Sequence, residues 1–152
     1  AVSAMLCAKE NEIAEAVEHL RKECADLKLE INEKENRLVS CWADMVSAKE
    51  QAVCIFTDEF GAESMRRLMN RILEKNRILC AVFSGRDGEG YRYVMGSKVM
   101  DMRALAKDMN SAFGGRGGGK PEMVQGTING TENEMREWIR KKAEEENHEP
   151  NA

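Results

Sequence analysis

A narrow apolar stripe in the first third of the chain constrains the fold most strongly. Apolar or small residues recur at alternating intervals of four and three residues, the spacing of a coiled coil. No glycine or proline precedes Gly61, so one continuous helix is predicted from about residue 4 to about residue 49. Because such a stripe needs a partner, we expect a homodimer through this coiled coil. The oligomerisation positions are Ile13, Val17, Leu20, Leu27, Ile31 and Leu38.

The stripe also contains one charged residue. Lys34 occupies a position of the heptad seam that is otherwise apolar or small. A polar residue at such a position either fixes the register of a coiled coil or weakens its pairing.

Beyond this helix the pattern changes to that of a small α/β unit. Apolar runs at 77–84 and 91–97 flank the turn GRDGEG and predict an antiparallel hairpin. Thr131, with Glu134 three residues later, predicts a capping box at the start of the last helix. Further strands are expected at 51–56 and within 122–130, and amphipathic helices at 61–75 and 101–113.

These elements predict an α+β fold: a long N-terminal coiled-coil helix followed by a small mixed β-sheet domain with the order βαββαβα. The expected boundaries are 1–50 for the coiled-coil helix, 51–147 for the globular domain and 148–152 for a disordered tail.

Composition narrows the class of protein. No run approaches the roughly 18 apolar residues of a membrane span, and no leader is visible, so we expect a soluble, cytoplasmic protein that contacts no membrane. The five cysteines are an odd number without zinc-type spacing, which predicts reduced, buried or half-buried thiols and no metal site. The net charge is −4, yet residues 61–126 carry twelve basic and seven acidic groups. That local excess indicates an anion-facing surface, or simply a solvated one.

The segment GGRGGGKPEMVQG, residues 114–126, contains six glycines. We expect a loop, with Gly114 as the C-cap of the preceding helix. Arg116 and Lys120 interrupt the glycines, and cations beside bare backbone suit an anion such as phosphate or carboxylate. The segment is not a P-loop, because no Gly-Lys-Ser/Thr occurs. On the residues alone, a binding loop and a plain surface connection both remain open.

The longer stretch FGGRGGGKPEMVQG resembles the signature of the C-terminal globular domain of alanyl-tRNA synthetases and of the longer free-standing alanyl-tRNA editing proteins, the first type of DHH-associated domain. Lys120, Pro121, Glu122 and Met123 fit the family pattern, whereas Arg116 interrupts a run that is often all glycine. The long helix ahead of a small α/β domain is similar to the family as well.

The resemblance implies a tRNA-binding module that holds the outer corner of the tRNA elbow. Its partners would be tRNA, with alanine tRNA expected first, and catalytic domains upstream in the parent chain. The basic excess of the central segment agrees with this, and the scarcity of aromatic residues disfavours stacking on single strands. The predicted nucleic-acid-binding residues are Gly114, Gly115, Arg116, Gly117, Gly118, Gly119, Lys120, Arg66, Arg67, Arg71, Arg86 and Arg92, the arginines 66, 67 and 71 on one helix face.

The same resemblance implies that the parent is an alanyl-tRNA editing hydrolase or an alanyl-tRNA synthetase, but no catalytic site is expected in this chain. Editing in the family uses zinc held by three histidines and a cysteine, whereas this chain has only His19 and His148. We therefore predict a non-enzymatic module with no catalytic residues, metal or cofactor. The alternatives are the substrate-binding domain of a DHH-type phosphoesterase and a pure oligomerisation module.

Overall fold

A computed structural model of the chain describes residues 12–148. Contacts divide the chain into two compact units, the residues up to Leu38 and those from Val39 onward. The helices are α1 (Ile13–Met45), α2 (Ala62–Leu73), α3 (Met102–Phe113) and α4 (Glu132–His148), and the strands are β1 (Ala52–Thr57), β2 (Leu79–Arg86), β3 (Gly90–Gly96), β4 (Arg116–Lys120) and β5 (Met123–Ile128).

Helix α1 ends earlier than predicted because Ser47 closes a turn behind it. The Ser47 Oγ accepts a hydrogen bond from the Lys49 amide at 3.3 Å, and its carbonyl accepts one from the Glu50 amide at 3.2 Å. Local bonds of this kind compete with helix continuation. Residues 4–11 of the predicted helix lie outside the described residues.

The apolar stripe of α1 is solvent-exposed in the single chain. Val17, Leu20, Leu27, Ile31 and Leu38 are all exposed, and Ile13 is half-buried. Coiled-coil pairing therefore stays a prediction.

The globular unit is built on a five-stranded sheet with the order β1-β2-β3-β5-β4. β1 runs parallel to β2, and the other neighbours are antiparallel. The α+β class, the long first helix and the mixed sheet are confirmed. One local prediction is wrong: the glycine loop contains a strand, β4, which a two-residue turn at Pro121 and Glu122 joins to β5. Glycine has little strand preference, so only the partner strand makes this segment extended.

Helices cover the two faces of the sheet unequally. On one face, α3 and α4 bury Met102, Met109, Met135 and Ile139 against the sheet. On the other face, α2 and the end of α1 pack on buried residues of β1, β2 and β3. From β5, only the half-buried Met123 contacts this cluster among the described residues. The β5–β4 half of this second face has no helix over it among the described residues, and three of the predicted cations, Arg92, Arg116 and Lys120, lie on this face.

The capping signals are confirmed. The Thr131 amide donates to Glu134 Oε2 at 3.1 Å, and the Glu134 amide donates to Thr131 Oγ1 at 3.3 Å, which is the capping box of α4. Gly114 ends α3 in the left-handed conformation with φ 64°.

The cysteine prediction is confirmed for two residues and wrong for two. Cys80 is buried and Cys54 is half-buried, and burial raises the pKa of the Cys54 thiol to about 12. Cys24 and Cys41, both on α1, are exposed. Cys7 lies outside the described residues.

Candidate nucleic-acid interface

Strand pairing places basic residues of β3 and β4 on one exposed surface. Thr127 of β5 pairs with Arg92 on one side and with Arg116 on the other. Paired residues project to the same face of a sheet, so the two guanidinium groups flank the Thr127 side chain. All three residues are exposed.

The next two rows of the same face continue this surface. Gln125 pairs with Gly118, and Met123 pairs with Lys120. Because side chains alternate between faces along a strand, Arg116, Gly118 and Lys120 share this side of β4. We call the surface made by Arg92, Arg116, Gly118, Lys120, Met123, Gln125 and Thr127 the open sheet face.

Helix α2 adds one further cation to this surface. Arg66 Nη2 donates to Gln125 Oε1 at 3.2 Å, which brings the guanidinium of α2 onto the row that contains Gly118. Glu63 lies 3.8 Å from Arg66 Nη1 and balances part of its charge. Gln125 also lines a depression between α2 and β5.

That depression is a cleft of about 720 Å³ between α2 and the glycine-rich strand β4 with its partner β5. We call the paired strands β4 and β5 the glycine ribbon. Its walls combine apolar, amide and charged groups. The lining residues are Asn70, Leu73, Glu74, Ser97, Lys98, Gly118, Gly119, Lys120, Glu122, Met123 and Gln125. Lys98 and Lys120 oppose Glu74 and Glu122 in charge, so the cleft itself carries no net charge from these side chains.

The glycines of β4 serve two different purposes. A Cβ on Gly118 would meet nothing within 4 Å, so the backbone of this residue is openly exposed. We call this exposed backbone the floor of the surface. A Cβ on Gly117 would collide with the Gln125 carbonyl oxygen and lie 2.5 Å from the Tyr93 hydroxyl. Gly126, on the paired strand, would likewise bring a Cβ to 2.8 Å from that hydroxyl. Gly117 and Gly126 are therefore required for packing, whereas Gly118 is not.

Tyr93 holds the ribbon from the buried side. Its hydroxyl donates to Asn110 Oδ1 at 3.1 Å, and Asn110 Nδ2 donates to the Gly117 carbonyl at 3.4 Å. Burial raises the pKa of Tyr93, so the phenol stays protonated and keeps donating at neutral pH. A tyrosine ring over glycines fills the space that side chains would otherwise occupy.

Comparison with known proteins decides the family. Residues 49–148 match the DHHA1 domain. The chain belongs to this family. The predicted resemblance to the C-terminal domain of alanyl-tRNA synthetases is thereby confirmed, and two relatives agree with it.

One relative is the alanine–tRNA ligase of Archaeoglobus fulgidus, which is 21% identical over 131 residues. The match covers 83% of this chain but only 14% of that protein. The other is the crystal structure of the C-Ala domain from Aquifex aeolicus alanyl-tRNA synthetase, with a TM-score of 0.50 and 19% identity. That match covers 59% of this chain and 86% of the C-Ala chain, and it supports the fold.

The DHHA1 domain does not bring all the predicted arginines together. Arg66 reaches the open sheet face through Gln125. At 100° per residue, Arg67 and Arg71 point about 100° and 140° away from Arg66 around the axis of α2. Arg67 lies 3.6 Å from Glu63, the same carboxylate that lies near Arg66, and Arg71 is exposed. A contact of Arg67 and Arg71 with nucleic acid stays a prediction.

Arg86 lies elsewhere in the DHHA1 domain, at the far end of β2. Its Nε and Nη2 donate to Asp58 Oδ2 at 3.0 and 2.8 Å. The hydrogen bond and the charge of Arg86 lower the pKa of Asp58, so the pair stays ionised over the physiological range. Arg86 is therefore neutralised locally.

Sequence reasoning missed several polar residues of this candidate interface. Lys98, Gln125 and Thr127 belong to it, and the alternation of polar and apolar residues along β5 was a signal that could have identified the last two. Arg103 and Lys107 of α3 were missed as well. They line a second depression with Arg116, which thus borders both surfaces.

The described residues bring no cluster of metal-ligating side chains together. Within residues 12–148, no group of three or more His, Cys, Asp and Glu side chains could hold a metal ion. His19 is exposed, and His148 Nδ1 lies 2.7 Å from the Glu144 carbonyl oxygen at the end of α4. No helix among these residues is sufficiently long and apolar to cross a membrane.

Proposed function

We propose that this chain is the non-catalytic, tRNA-binding C-terminal module of an alanyl-tRNA editing protein or an alanyl-tRNA synthetase. Family membership supports the type of module, and the two relatives are an alanine–tRNA ligase and a C-Ala domain. In this proposal the module acts in the cytoplasm, contacts no membrane and needs no metal or cofactor. Catalytic domains elsewhere in the parent chain perform the reaction, and the module positions tRNA for them.

The observation that carries the proposal is the open sheet face. Arg66, Arg92, Arg116 and Lys120 come from three different elements and surround the exposed backbone of Gly118. Phosphate groups are recognised by such dispersed cations, and a surface without side chains lets a nucleic-acid backbone approach closely.

The surface also favours structured RNA over single strands. Both tyrosines lie on the opposite side of the sheet or inside the core, so the face presents no aromatic platform for unstacked bases. Folded RNA is read chiefly through its phosphates and shape, which suits cations arranged on a rigid sheet. We therefore place a helical or corner region of tRNA, such as the elbow, on this face, with Gly114, Gly115, Gly117 and Gly119 shaping the ribbon.

The organisation of the chain follows from this proposal. Helix α1 self-associates through its apolar stripe, and the domain over 51–147 binds RNA. His148 is still part of α4, and residues 149–152 of the predicted tail lie outside the described residues. In this arrangement one dimer presents two RNA-binding faces.

A second candidate function is the substrate-binding domain of a DHH-type phosphoesterase. The cleft of about 720 Å³ favours it, because pockets of roughly 300–1,000 Å³ suit small molecules such as nucleotides. A role in oligomerisation alone is supported only by the stripe on α1.

Fluorescence anisotropy on the full chain distinguishes these functions. We expect alanine tRNA to bind with an affinity that falls steeply with salt, and mononucleotides to bind at least roughly a hundredfold more weakly, since they offer fewer phosphates. Lys120→Ala should weaken tRNA binding, and Arg86→Ala, which removes a charge already paired with Asp58, is the matched control. Equal affinity for mononucleotides would support the phosphoesterase function, and absence of tRNA binding at low salt would refute the proposal.

A further inference from the structure

The exposed stripe of α1 has two features that specify how two copies pair. Within the first unit the seam positions are Leu20, Cys24, Leu27, Ile31, Lys34 and Leu38. The four apolar ones are between 36% and 57% exposed. The seam is therefore uncovered along its length, and any partner must provide an apolar stripe of the same period.

A parallel dimer fits this seam poorly. It places Lys34 directly against the partner's Lys34 in one layer, since equivalent positions meet in parallel coiled coils. It also brings Glu30 beside the partner's Glu35, and this repulsion offsets the attraction between Glu23 and the partner's Lys28.

We propose that two copies of this chain pair through α1 in antiparallel orientation, in a register centred on residue 29. Leu20 then packs against the partner's Leu38, and Leu27 packs against the partner's Ile31. Lys34 meets the partner's Cys24, a small side chain that leaves room for the ammonium group to reach solvent. The proposal rests on the self-association proposed above and adds its geometry.

The charges beside the seam favour this register. Glu23 lies next to the partner's Arg37, and Arg21 next to the partner's Glu35, and each contact occurs twice by symmetry. At the two-fold axis Lys28 faces the partner's Lys28 and Glu30 faces the partner's Glu30, once each, so the four attractions outnumber the two repulsions. Shifting the partner by one heptad towards its N-terminus places Glu23 beside the partner's Glu30 and Arg21 beside the partner's Lys28, which is repulsive.

A shift by one heptad in the other direction keeps an attraction between Glu30 and the partner's Arg37, but it places Glu23 beside the partner's Asp44 and worsens the layers. It places Lys34 against the partner's Ile31 in two adjacent central layers. It also shortens the overlap of the helices, whereas residue 29 is the midpoint of α1 between Ile13 and Met45.

Disulfide mapping tests the orientation and register together. The Lys34→Cys variant of the full chain is oxidised with diamide, digested, and analysed for linked peptides by mass spectrometry. The proposed register yields a bond between the cysteine introduced at position 34 of one copy and the partner's Cys24. A bond between Cys24 and the partner's Cys24 would indicate a parallel dimer. A bond between Cys24 and the partner's Cys41 would indicate the shifted antiparallel register. Either result would overturn the proposal. In the control Cys24→Ser with Lys34→Cys, the linked peptide should disappear, whereas a parallel dimer would link the two introduced cysteines.

Charge exchange provides a second measurement without cysteines. By sedimentation equilibrium, Glu23→Lys should raise the dimer dissociation constant roughly three- to thirtyfold, because two attractions become repulsions. Adding Arg37→Glu should restore it. Restoration by Lys28→Glu instead would show parallel pairing, and a wild-type monomer at tens of micromolar would overturn self-association itself. Neither result bears on tRNA binding, which is measured separately.

Discussion

Replacing Gly118 by alanine isolates the contribution of the bare backbone. Gly118 is an exposed residue in the middle of β4, its φ is not positive, and a Cβ would meet nothing within 4 Å. An alanine is therefore accommodated without strain. The added methyl group stands about 1.5 Å above the floor, on the face that carries Arg116 and Lys120.

The effects on stability and on binding should have opposite signs. Replacing glycine where alanine fits stabilises a protein by about 0.4–1 kcal/mol, because the unfolded chain loses freedom. For a domain of this size we expect a rise in Tm of about 2–5 °C. If RNA packs directly on the floor, the methyl group overfills a close contact at a cost of about 1–3 kcal/mol. That corresponds to a loss of tRNA affinity of roughly 5- to 150-fold.

Anisotropy titrations with alanine tRNA at several salt concentrations measure the binding effect, and thermal unfolding followed by circular dichroism measures stability. The slope of log K against log salt should stay unchanged, because no charge is removed. Gly117→Ala is the contrasting variant, since its Cβ collides with the Gln125 carbonyl oxygen and should lower Tm. A more stable Gly118→Ala protein that binds tRNA with unchanged affinity would refute direct contact between RNA and the ribbon.

Changing both Arg116 and Lys120 to Ala should weaken tRNA binding and reduce the salt slope by up to about 2, with little change in Tm, because both side chains are exposed. Thr131→Ala should cost about 1 kcal/mol in chemical unfolding by removing the capping box, and the exposed Asn133→Ala is its control. Burial and a hydrogen bond to Asp87 raise the pKa of Tyr91 to about 12. Its contribution to stability should thus be complete below about pH 10 and lost as pH rises through about 12, which alkaline unfolding of wild type and Tyr91→Phe checks. Metal analysis and deacylation assays should find no stoichiometric zinc and no hydrolysis of alanyl or seryl tRNA, and one tightly held zinc per chain would contradict this.

The sequence predicts the elements of the globular unit well where hydrophobic period and turn chemistry agree. The hairpin between β2 and β3 has two apolar strands and a glycine-rich turn, so its pairing is evident. The end of α3 is marked by Gly114 and the start of α4 by Thr131. At each of these places the signal is local, and local interactions are what a single sequence reports best.

Strand β4 could not be predicted because its conformation is imposed from outside. Nothing in the run of glycines from Gly117 to Gly119 prefers an extended backbone. Pairing with β5 and the hydrogen bonds that link Gly117 to Tyr93 through Asn110 make it a strand. These contacts involve residues whose proximity only the folded chain establishes.

The candidate site was predicted in composition but not in arrangement. Arg92, Arg116 and Lys120 are adjacent because β3, β5 and β4 are neighbours, although the chain order is β3, β4, β5. The separation of Arg66 from Arg67 and Arg71 depends on the rotation of α2, which its buried residues Leu68, Met69 and Ile72 determine. The pairing of Arg86 with Asp58 joins the ends of two strands. Helical spacing gives the angles between the three arginines, but which of them faces the sheet, and the two other relations, depend on tertiary packing.

The unequal covering of the sheet accounts for both the stability and the accessibility of the ribbon. On the buried side, Tyr93 and Asn110 hold the Gly117 backbone in place, so β4 needs no side chains of its own for packing. On the other side, α2 reaches only as far as Gln125, to which Arg66 donates, and leaves Gly118 exposed. This backbone is fixed by hydrogen bonds on the buried side and exposed on the other side. It therefore loses little conformational entropy when a ligand binds, because its geometry is already set. The glycines therefore provide a rigid surface, and we expect mutations of Tyr93 or Asn110 to affect RNA binding through the ribbon without removing any charge that contacts phosphate.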